Sequence, residues 1–229
     1  FTKRGIKLFT GQTATRVAQE NGVKRLTLAD GTVLESEEIL AAIGRTVDLT
    51  GLGLEKLNIP WTRKGVQVNP QTLQLKDNLY AVGDVNGLCL LAHAPTRAAD
   101  VPAPNACGQS PVYHPELVPS AIYTRPEIAC VGLTKQQAAA QGIEVKAQRA
   151  FLLACGRAQT QDETEGYFEL LSDKQTGRLL GANLCGANAT EIIHIIAALL
   201  TAGLSVETAR EIIFAHPTVS ELLGEALWK

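Results

Sequence analysis

Apolar and polar positions in residues 119–229 predict a mixed unit of strands and helices. The apolar stretch ATEIIHIIAALLTAG has helical spacing and should end at Gly203, a residue suited to a helix C-terminus. AIYTRPEIACVG is strand-like. Three further runs have strand character, the last two joined by a turn at KQTG. These runs are IEVKAQRAF, GYFELLSD and RLLGANLCG.

The ends of three more helices are marked by residues that favour helix boundaries. Thr134 should cap a helix through KQQAAAQ that Gly142 ends. Ser205 should open a helix over SVETAREIIF. Pro217 should start the last helix, because proline is tolerated in a first turn. We therefore predict an α+β unit over the second half of the chain.

The first 43 residues read as β-rich. Alternating runs on either side of Asp30 and Gly31 predict a hairpin. GIKLFT reads as a strand, and EEILAAIG reads as a buried strand that ends at Gly44. Because a small meander of strands cannot close a domain alone, this part is predicted to be the end of a larger unit.

The middle of the chain contains an apolar strand followed by a helix. LYAVGDV should stop at Gly83 and Asp84, and the helix should open in LLAHAPTRAAD. Pro102 and Pro104 should end or kink that helix. The Pro-rich stretch GQSPVYHPELVPS, residues 108–120, is the candidate domain boundary.

Composition narrows the class of protein. Hydrophobic residues make up 45% and charged residues 19%, as in folded globular domains. A net charge of −2 favours neither nucleic acid nor an anionic membrane as partner, and no apolar run reaches the ~18 residues of a membrane span.

Five scattered cysteines without C-x-x-C spacing are typical of buried, reduced thiols in a cytoplasmic protein and predict no metal site. Because Phe1 is no start residue and Met is absent, we expect a piece of a longer chain.

The most informative pair for chemistry is His216 and Glu221. A carboxylate five residues after an imidazole can accept its Nδ1 proton, which leaves Nε2 free to take a proton from a thiol. Pro217 restricts the backbone of His216. The alternative is that the histidine caps the last helix and the glutamate complements its dipole, and spacing alone leaves both open.

A second candidate site follows the LYAVGDV strand. Gly83 would let a ligand approach the backbone, and Asp84 could accept hydrogen bonds from sugar-like hydroxyls at the carboxyl edge of a sheet. The alternative is an ordinary strand-to-turn transition. His93, near the predicted helix start, is either a ligand contact or a structural residue. His194, in the helix over EIIHIIAALL, is predicted to pack.

Taken in order, several stretches resemble the C-terminal half of the FAD-dependent pyridine nucleotide-disulfide oxidoreductases. Within that family they are most similar to the dihydrolipoamide dehydrogenase branch. The resemblance covers nearly the whole chain. It is carried by ILAAIGRTVDLTGLGLEKLNI, LYAVGDV with LLAH, AIYTRPEIACVGLT, GYFELLSDKQTGRLLGANLCGANATEIIH and FAHPTVSE.

The resemblance implies a fold of truncated nucleotide-binding α/β segments followed by an α+β interface domain. Residues 1–43 would end the NAD-binding domain, residues 44–117 would end the FAD-binding domain, and residues 118–229 would form the interface domain of a homodimer. His216 and Glu221 would act on the redox disulfide of the other subunit. The implied cofactor-binding residues are Gly83, Asp84, Leu91, Ala92 and His93 for the flavin, and Gly44 and Arg45 near the nicotinamide.

The same resemblance implies FAD and NAD as cofactors and a dithiol such as dihydrolipoamide as substrate. A 2-oxo acid dehydrogenase complex is an implied partner. The redox cysteine pair and both Gly-rich loops of the family are absent from these 229 residues. The chain departs from the family pattern in the three prolines of APTRAADVPAPNACG and in Glu38, where Asp is usual. Alternatives are a non-catalytic dimerisation module, a glutathione reductase-like or mercuric reductase-like member, and an unrelated α+β binding domain.

Overall fold

The computed structural model describes residues 1–2 and 4–229. The chain divides into two compact units, residues 1–45 and residues 46–229. The three-part division predicted from the sequence stays a prediction. Among the described residues, every helix is too short or too polar to cross a membrane.

The first unit is built on a three-stranded antiparallel sheet in the order β1-β2-β3. The predicted hairpin is confirmed: Gly31 adopts φ +86°, and Asp30 accepts a hydrogen bond from the Thr32 N–H at 2.9 Å. The strands are β1 (Ala14–Glu20), β2 (Val23–Leu28) and β3 (Val33–Ser36).

Two strands predicted in this unit are wrong. GIKLFT and EEILAAIG have no strand conformation, and Ile43 is 96% exposed. A strand needs a neighbour that pairs with its backbone N–H and C=O groups. Within the described part of the first unit, the three-stranded sheet does not extend to either segment. The apolar sequence of 37–44 therefore lies exposed in this chain.

The second unit begins with short ladders and two small apolar clusters. One cluster centres on Leu49, Ile59 and Val66, and the other on Leu73 and Val101. Leu54–Leu57 form a 3₁₀ turn. The two ladders are formed by β4 (Trp61–Thr62) with β5 (Gly65–Val66) and by β6 (Gln74–Lys76) with β7 (Leu79–Tyr80).

The prolines act as predicted on the helix after LYAVGDV. Helix α1 (His93–Ala98) ends before Pro102, and α2 (Pro102–Ala106) starts there with proline in its first turn. The predicted strand is shorter than expected, since β7 is only two residues long. Gly83 and Asp84 instead lead into a 3₁₀ turn over Asp84–Asn86.

The rest of the second unit contains a five-stranded antiparallel sheet in the order β10-β11-β12-β9-β8. The three runs predicted as strands are confirmed as β10, β11 and β12. Phe168 of β11 and Leu184 of β12 are buried in its core, and five consecutive residues of β11 are buried. The bounds are β8 (Ser120–Ile122), β9 (Ile128–Gly132), β10 (Val145–Phe151), β11 (Tyr167–Asp173) and β12 (Leu179–Cys185).

Helices pack against this sheet. The longest, α5, packs on β9 and β12, and α7 packs on β10 and β11. Ile193, Leu222 and Leu223 of these helices are fully buried. The bounds are α3 (Lys135–Ala140), α4 (Gly156–Thr160), α5 (Ala189–Thr201), α6 (Val206–Ala209) and α7 (Glu221–Leu227).

The predicted start of the last helix is wrong. The helix begins at Glu221 and not at Pro217. The carbonyl of Thr218 accepts a bond from the thiol of Cys155 at 3.6 Å, while the Leu222 N–H donates to Val219. The Leu222 N–H thus does not bond back to Thr218, and residues 216–220 form a loop. Likewise, α6 ends at Ala209, well before the end of the predicted run.

Candidate functional site

The loop before α7 is closed by a side chain within it. The hydroxyl of Thr218 donates to the carbonyl of Ala215 at 2.8 Å. The peptide bond between His216 and Pro217 is cis. Val219 is buried, so the far side of the loop is anchored in the core. The loop presents His216 on the surface.

His216 and Glu221 meet as the sequence predicts. Nδ1 of His216 lies 2.8 Å from Oε1 of Glu221. The histidine side chain is 80% exposed and the glutamate side chain 29% exposed. Within the described part of the chain, nothing bonds to Nε2 of His216. The imidazole is thus held on one nitrogen and open on the other.

The second oxygen of Glu221 is held as well. The backbone N–H of Thr218 donates to Oε2 at 2.7 Å. This bond and the bond to His216 lower the pKa of Glu221 below its usual range. Glu221 is therefore a carboxylate near neutral pH and accepts from both donors. It favours the tautomer of His216 that carries its proton on Nδ1.

This arrangement can perform proton transfer. With the proton on Nδ1, Nε2 has a free lone pair that points away from Glu221 and can accept a proton from a nearby group. An imidazolium formed in this way is stabilised by the carboxylate. No cysteine of the chain is shown in contact with His216 in the described residues, so a thiol would have to come from outside them.

A second histidine–glutamate pair provides a comparison within the chain. Nδ1 of His114 lies 2.9 Å from Oε1 of Glu116, and both side chains are exposed. Among the residues that the structure describes, no second donor comparable to the Thr218 N–H bonds to Glu116. A surface pair of this type thus forms without any sign of a site, and the doubly bonded carboxylate sets the pair at His216 apart.

The other two histidines differ from these pairs. Nε2 of His93 is 2.7 Å from the carbonyl of Pro119, which ties the start of α1 to the approach to β8. This contact supports the structural reading of His93. The prediction that His194 packs is wrong, because it lies on the exposed side of α5. Cys107 and Cys130 are exposed too, contrary to the buried thiols expected.

Of the residues proposed to contact a flavin, Gly83 lies close to α1. Gly83 has φ +85°, and a Cβ at that position would lie 3.4 Å from Cβ of Pro95 in α1. Asp84 is exposed, and Leu91 and Ala92 precede α1 directly. Gly44 and Arg45 lie exposed at the end of the first unit.

The cavity beside Gly83 and Pro95 is too small for a flavin-sized group. Its volume is about 10 Å³, whereas small ligand pockets have roughly 300 Å³ or more. The chain therefore does not enclose such a group. Asp84 presents an exposed carboxylate, and Ala92, which directly precedes α1, is exposed as well. In the described residues, no cluster of histidine, cysteine or acidic side chains is placed to hold a metal ion.

Sequence reasoning missed Thr218 and Cys155. Thr218 and Glu221 have the spacing of a capping box, T-x-x-E, in which the glutamate accepts from the backbone N–H of the threonine. That spacing could have predicted the bond to Thr218. Nothing in the sequence marks Cys155, whose buried thiol reaches the loop only through the tertiary fold.

Comparison with known protein families shows to which family the chain belongs. Residues 1–122 match the family model described as pyridine nucleotide-disulphide oxidoreductase, and residues 118–227 match its dimerisation domain. The chain belongs to the pyridine nucleotide-disulphide oxidoreductase family, as its sequence resemblance predicts. The predicted fold class is confirmed by the same matches.

Curated relatives point to one branch of this family. The dihydrolipoyl dehydrogenase of Chlamydia muridarum is 32% identical over 227 residues, which are 99% of this chain and 49% of the relative. The dihydrolipoyl dehydrogenase of Bacillus subtilis is 35% identical over 193 residues, which are 84% of this chain and 42% of the relative. The chain thus spans about half the length of the curated relatives it matches.

Solved structures of related proteins have the same fold as this chain. LpdA from Mycobacterium tuberculosis superposes with a TM-score of 0.90 at 26% identity, over 100% of this chain and 50% of that one. The HOCl-induced flavoprotein disulfide reductase RclA from Escherichia coli gives a TM-score of 0.84 at 24% identity, over 99% of this chain and 53% of that one. The second likeness supports the fold alone.

Proposed function

We propose that the chain supplies the C-terminal half of a dihydrolipoamide dehydrogenase-like enzyme, which passes electrons from a dithiol to NAD⁺ through a redox disulfide and FAD. The observation that carries this proposal is the His216–Glu221 pair, with Glu221 bonded on both oxygens and Nε2 of His216 open to the outside. Family membership and relatives that are dihydrolipoyl dehydrogenases support it.

His216 acts in the dithiol step. Its Nε2 takes the proton of one substrate S–H, and the resulting thiolate attacks a sulfur of the redox disulfide. One S–S bond breaks as a mixed disulfide forms. The second substrate thiol then displaces the enzyme sulfur, which leaves an oxidised substrate and a reduced enzyme dithiol. Overall the dithiol loses two electrons and two protons, NAD⁺ takes up two electrons and one proton, and the other proton passes to the solvent. The disulfide belongs to a partner subunit, in the part of the relatives that this chain does not span.

The residues around Gly83 and Gly44 serve the cofactors. Asp84 accepts hydrogen bonds from the ribityl hydroxyls, and Leu91, Ala92 and His93 lie beside the flavin ring. Gly44 and Arg45 lie near the nicotinamide. When bound, FAD supplies two-electron transfer between the dithiol and NAD⁺.

The chain acts as a homodimer in this proposal. Residues 118–229 form the interface domain, residues 44–117 complete the FAD-binding domain and residues 1–43 complete the NAD-binding domain. The match of residues 118–227 to a dimerisation domain supports the pairing of two copies. A 2-oxo acid dehydrogenase complex in the cytoplasm is the proposed setting.

A non-catalytic dimerisation module is the second candidate, and the same dimerisation-domain match favours it. The two candidates differ in what they require of Glu221. A module without chemistry has no need for a carboxylate that accepts on both oxygens beneath an exposed imidazole. We therefore prefer the enzyme.

The test is a hybrid enzyme in which this chain is joined to the half of the C. muridarum relative that it does not span. Once loaded with flavin, it should reduce NAD⁺ when given dihydrolipoamide. A flavin-loaded hybrid that reduces no NAD⁺ would support the dimerisation module instead. The 229-residue chain alone should bind little FAD, and a yellow, stoichiometric preparation would contradict that expectation.

A further inference from the structure

We propose that Thr218 is a positioning residue for His216, acting through Glu221. This inference rests on the proposed function for its catalytic meaning, but the geometry behind it stands on its own. Thr218 lies between the two members of the pair and uses three of its groups in hydrogen bonds. Its N–H donates to Glu221, its hydroxyl donates to Ala215, and its carbonyl accepts from Cys155.

A comparison with Thr134 shows that the hydroxyl of Thr218 has an unusual direction. Thr134 and Gln137 form a complete capping box, in which the threonine hydroxyl accepts from the backbone N–H of Gln137. In the Thr218 box only the glutamate arm is made. The threonine hydroxyl is turned back to Ala215, on the other side of His216. It therefore closes the loop around the histidine and does not cap the helix.

The closed loop fixes where Glu221 can point. With Oε2 bonded to the Thr218 N–H at 2.7 Å, Oε1 is left facing Nδ1 of His216 at 2.8 Å. The imidazole is 80% exposed, and in the described residues Glu221 provides its one hydrogen bond. The orientation and tautomer of His216 thus depend on Glu221, and Glu221 depends on the loop that Thr218 closes.

Cys155 links the loop to the hydrophobic core. It is buried in the core, and its thiol bonds to the Thr218 carbonyl. The thiol is a weak donor, and its bond joins the Thr218 carbonyl to the core. The carbonyl and the N–H of Thr218 therefore have separate partners, one in the core and one at the site.

The test measures the tautomer of His216 in the chain itself by ¹⁵N NMR of the imidazole nitrogens. The spectra are recorded at a pH well above the ordinary histidine pKa of about 6.5, so that the imidazole is neutral. In Thr218→Val the side-chain bond to Ala215 is lost, but shape and backbone N–H stay. We expect the ratio of Nδ1–H to Nε2–H tautomer to fall roughly threefold, in line with the loss of one ordinary hydrogen bond. Thr218→Ser retains the hydroxyl and should keep the wild-type tautomer ratio. Glu221→Ala removes the carboxylate and should give the tautomer ratio of a His216 without any partner at Nδ1.

Thr201 provides the matched control. Its hydroxyl donates to the carbonyl of Ala197 at the same 2.8 Å, on α5 and not in the loop. Thr201→Val should leave the His216 tautomer unchanged. Circular dichroism should show that each variant is folded.

The outcomes separate this inference from the proposed function. A shift in Thr218→Val that is absent in Thr218→Ser and Thr201→Val supports the positioning role, whether or not the hybrid enzyme is active. An unchanged tautomer in Thr218→Val, or an equal shift in the valine and serine variants, would overturn it. Failure of dithiol oxidation with the tautomer shift intact would count against the proposed function alone.

Discussion

The carboxylate of Glu127 holds the first turn of α5 through Thr190. Its Oε2 accepts from the Thr190 N–H at 3.0 Å and from the Thr190 hydroxyl at 2.8 Å. Glu127 directly precedes β9, so these bonds join the sheet to the longest helix of the unit. The first N–H groups of a helix have no partner within it, and Glu127 satisfies one of them.

Removal of this carboxylate should therefore destabilise the chain. We expect Glu127→Ala to lower the free energy of unfolding by about 1–3 kcal/mol, because the buried Thr190 loses its partner. Denaturant unfolding followed by circular dichroism measures this. Glu191→Ala, which changes an exposed acid in the same turn, should shift the value by less than about 0.5 kcal/mol. Equal effects of both variants would contradict the role of Glu127.

Two glycines with nearly the same backbone angle should tolerate alanine differently. Gly132 has φ +79° and Gly142 has φ +73°. A Cβ at Gly132 would lie 2.2 Å from the Leu180 carbonyl, whereas a Cβ at Gly142 would have no atom within 4 Å. Gly142→Ala should cost about 1–2 kcal/mol of unfolding free energy, the cost of a left-handed alanine. Gly132→Ala should cost several kcal/mol more or prevent folding, and similar stabilities would show that the strands can move apart.

Glu169 should make stability depend on acid pH. Its side chain is 5% exposed and bonds to Lys135 and Arg149. Burial raises the pKa of Glu169, but the bonds to the two cations lower it by more. The net result is a pKa below the ordinary glutamate value. A lowered pKa in the folded state stabilises the fold above the unfolded-state pKa, and this stabilisation disappears as pH falls through the folded-state pKa.

Glu169→Gln should thus lower stability by about 1–3 kcal/mol at pH 7. The difference from wild type should shrink as pH falls below about 4. Thermal unfolding of both proteins at pH values from 7 down to below about 4 measures this stability difference. Glu144→Gln removes the exposed ion pair with Lys174 and should change stability by less than about 1 kcal/mol at any of these pH values. A pH-independent difference for Glu169→Gln would contradict the account.

Ile213 should be buried when two copies pair. It is 95% exposed in the single chain and lies three residues before His216, which the proposed chemistry places at the partner subunit. We expect Ile213→Asp to convert a dimer to a monomer at micromolar concentration, measured by light scattering. Ile43, which is 96% exposed in the first unit, is the matched control, and Ile43→Asp should leave the dimer intact. A wild-type monomer would contradict the proposed dimer.

The sequence predicted the parts of this molecule whose structure is determined locally. Strand-like runs predicted β10, β11 and β12, alternation around Asp30–Gly31 predicted the hairpin, and Thr134 predicted its cap. EEILAAIG was mistaken for a strand because apolar runs of this length form strands only when other strands pair with them. The described part of the first unit provides no such partner.

The candidate site was predictable only in part. The spacing of His216 and Glu221 allowed their contact, and the structure confirms the contact at 2.8 Å. The start of α7 is misplaced because residues before Glu221 form a loop, in which Thr218 bonds to Ala215 and to Cys155, more than sixty positions earlier in the chain. A partner so distant in sequence leaves no local pattern, so both the loop and the role of Thr218 required the fold.

The most direct test compares two histidine variants of the hybrid enzyme. His216→Gln should lower the rate of NAD⁺ reduction by dihydrolipoamide about 10²- to 10⁴-fold, the range of general-base catalysis. Electron transfer from NADH to ferricyanide involves no thiol and should be retained. His114→Gln breaks the similar pair with Glu116 and should leave both rates unchanged. If His216→Gln oxidises the dithiol as fast as His114→Gln, His216 is not the base and the account is wrong.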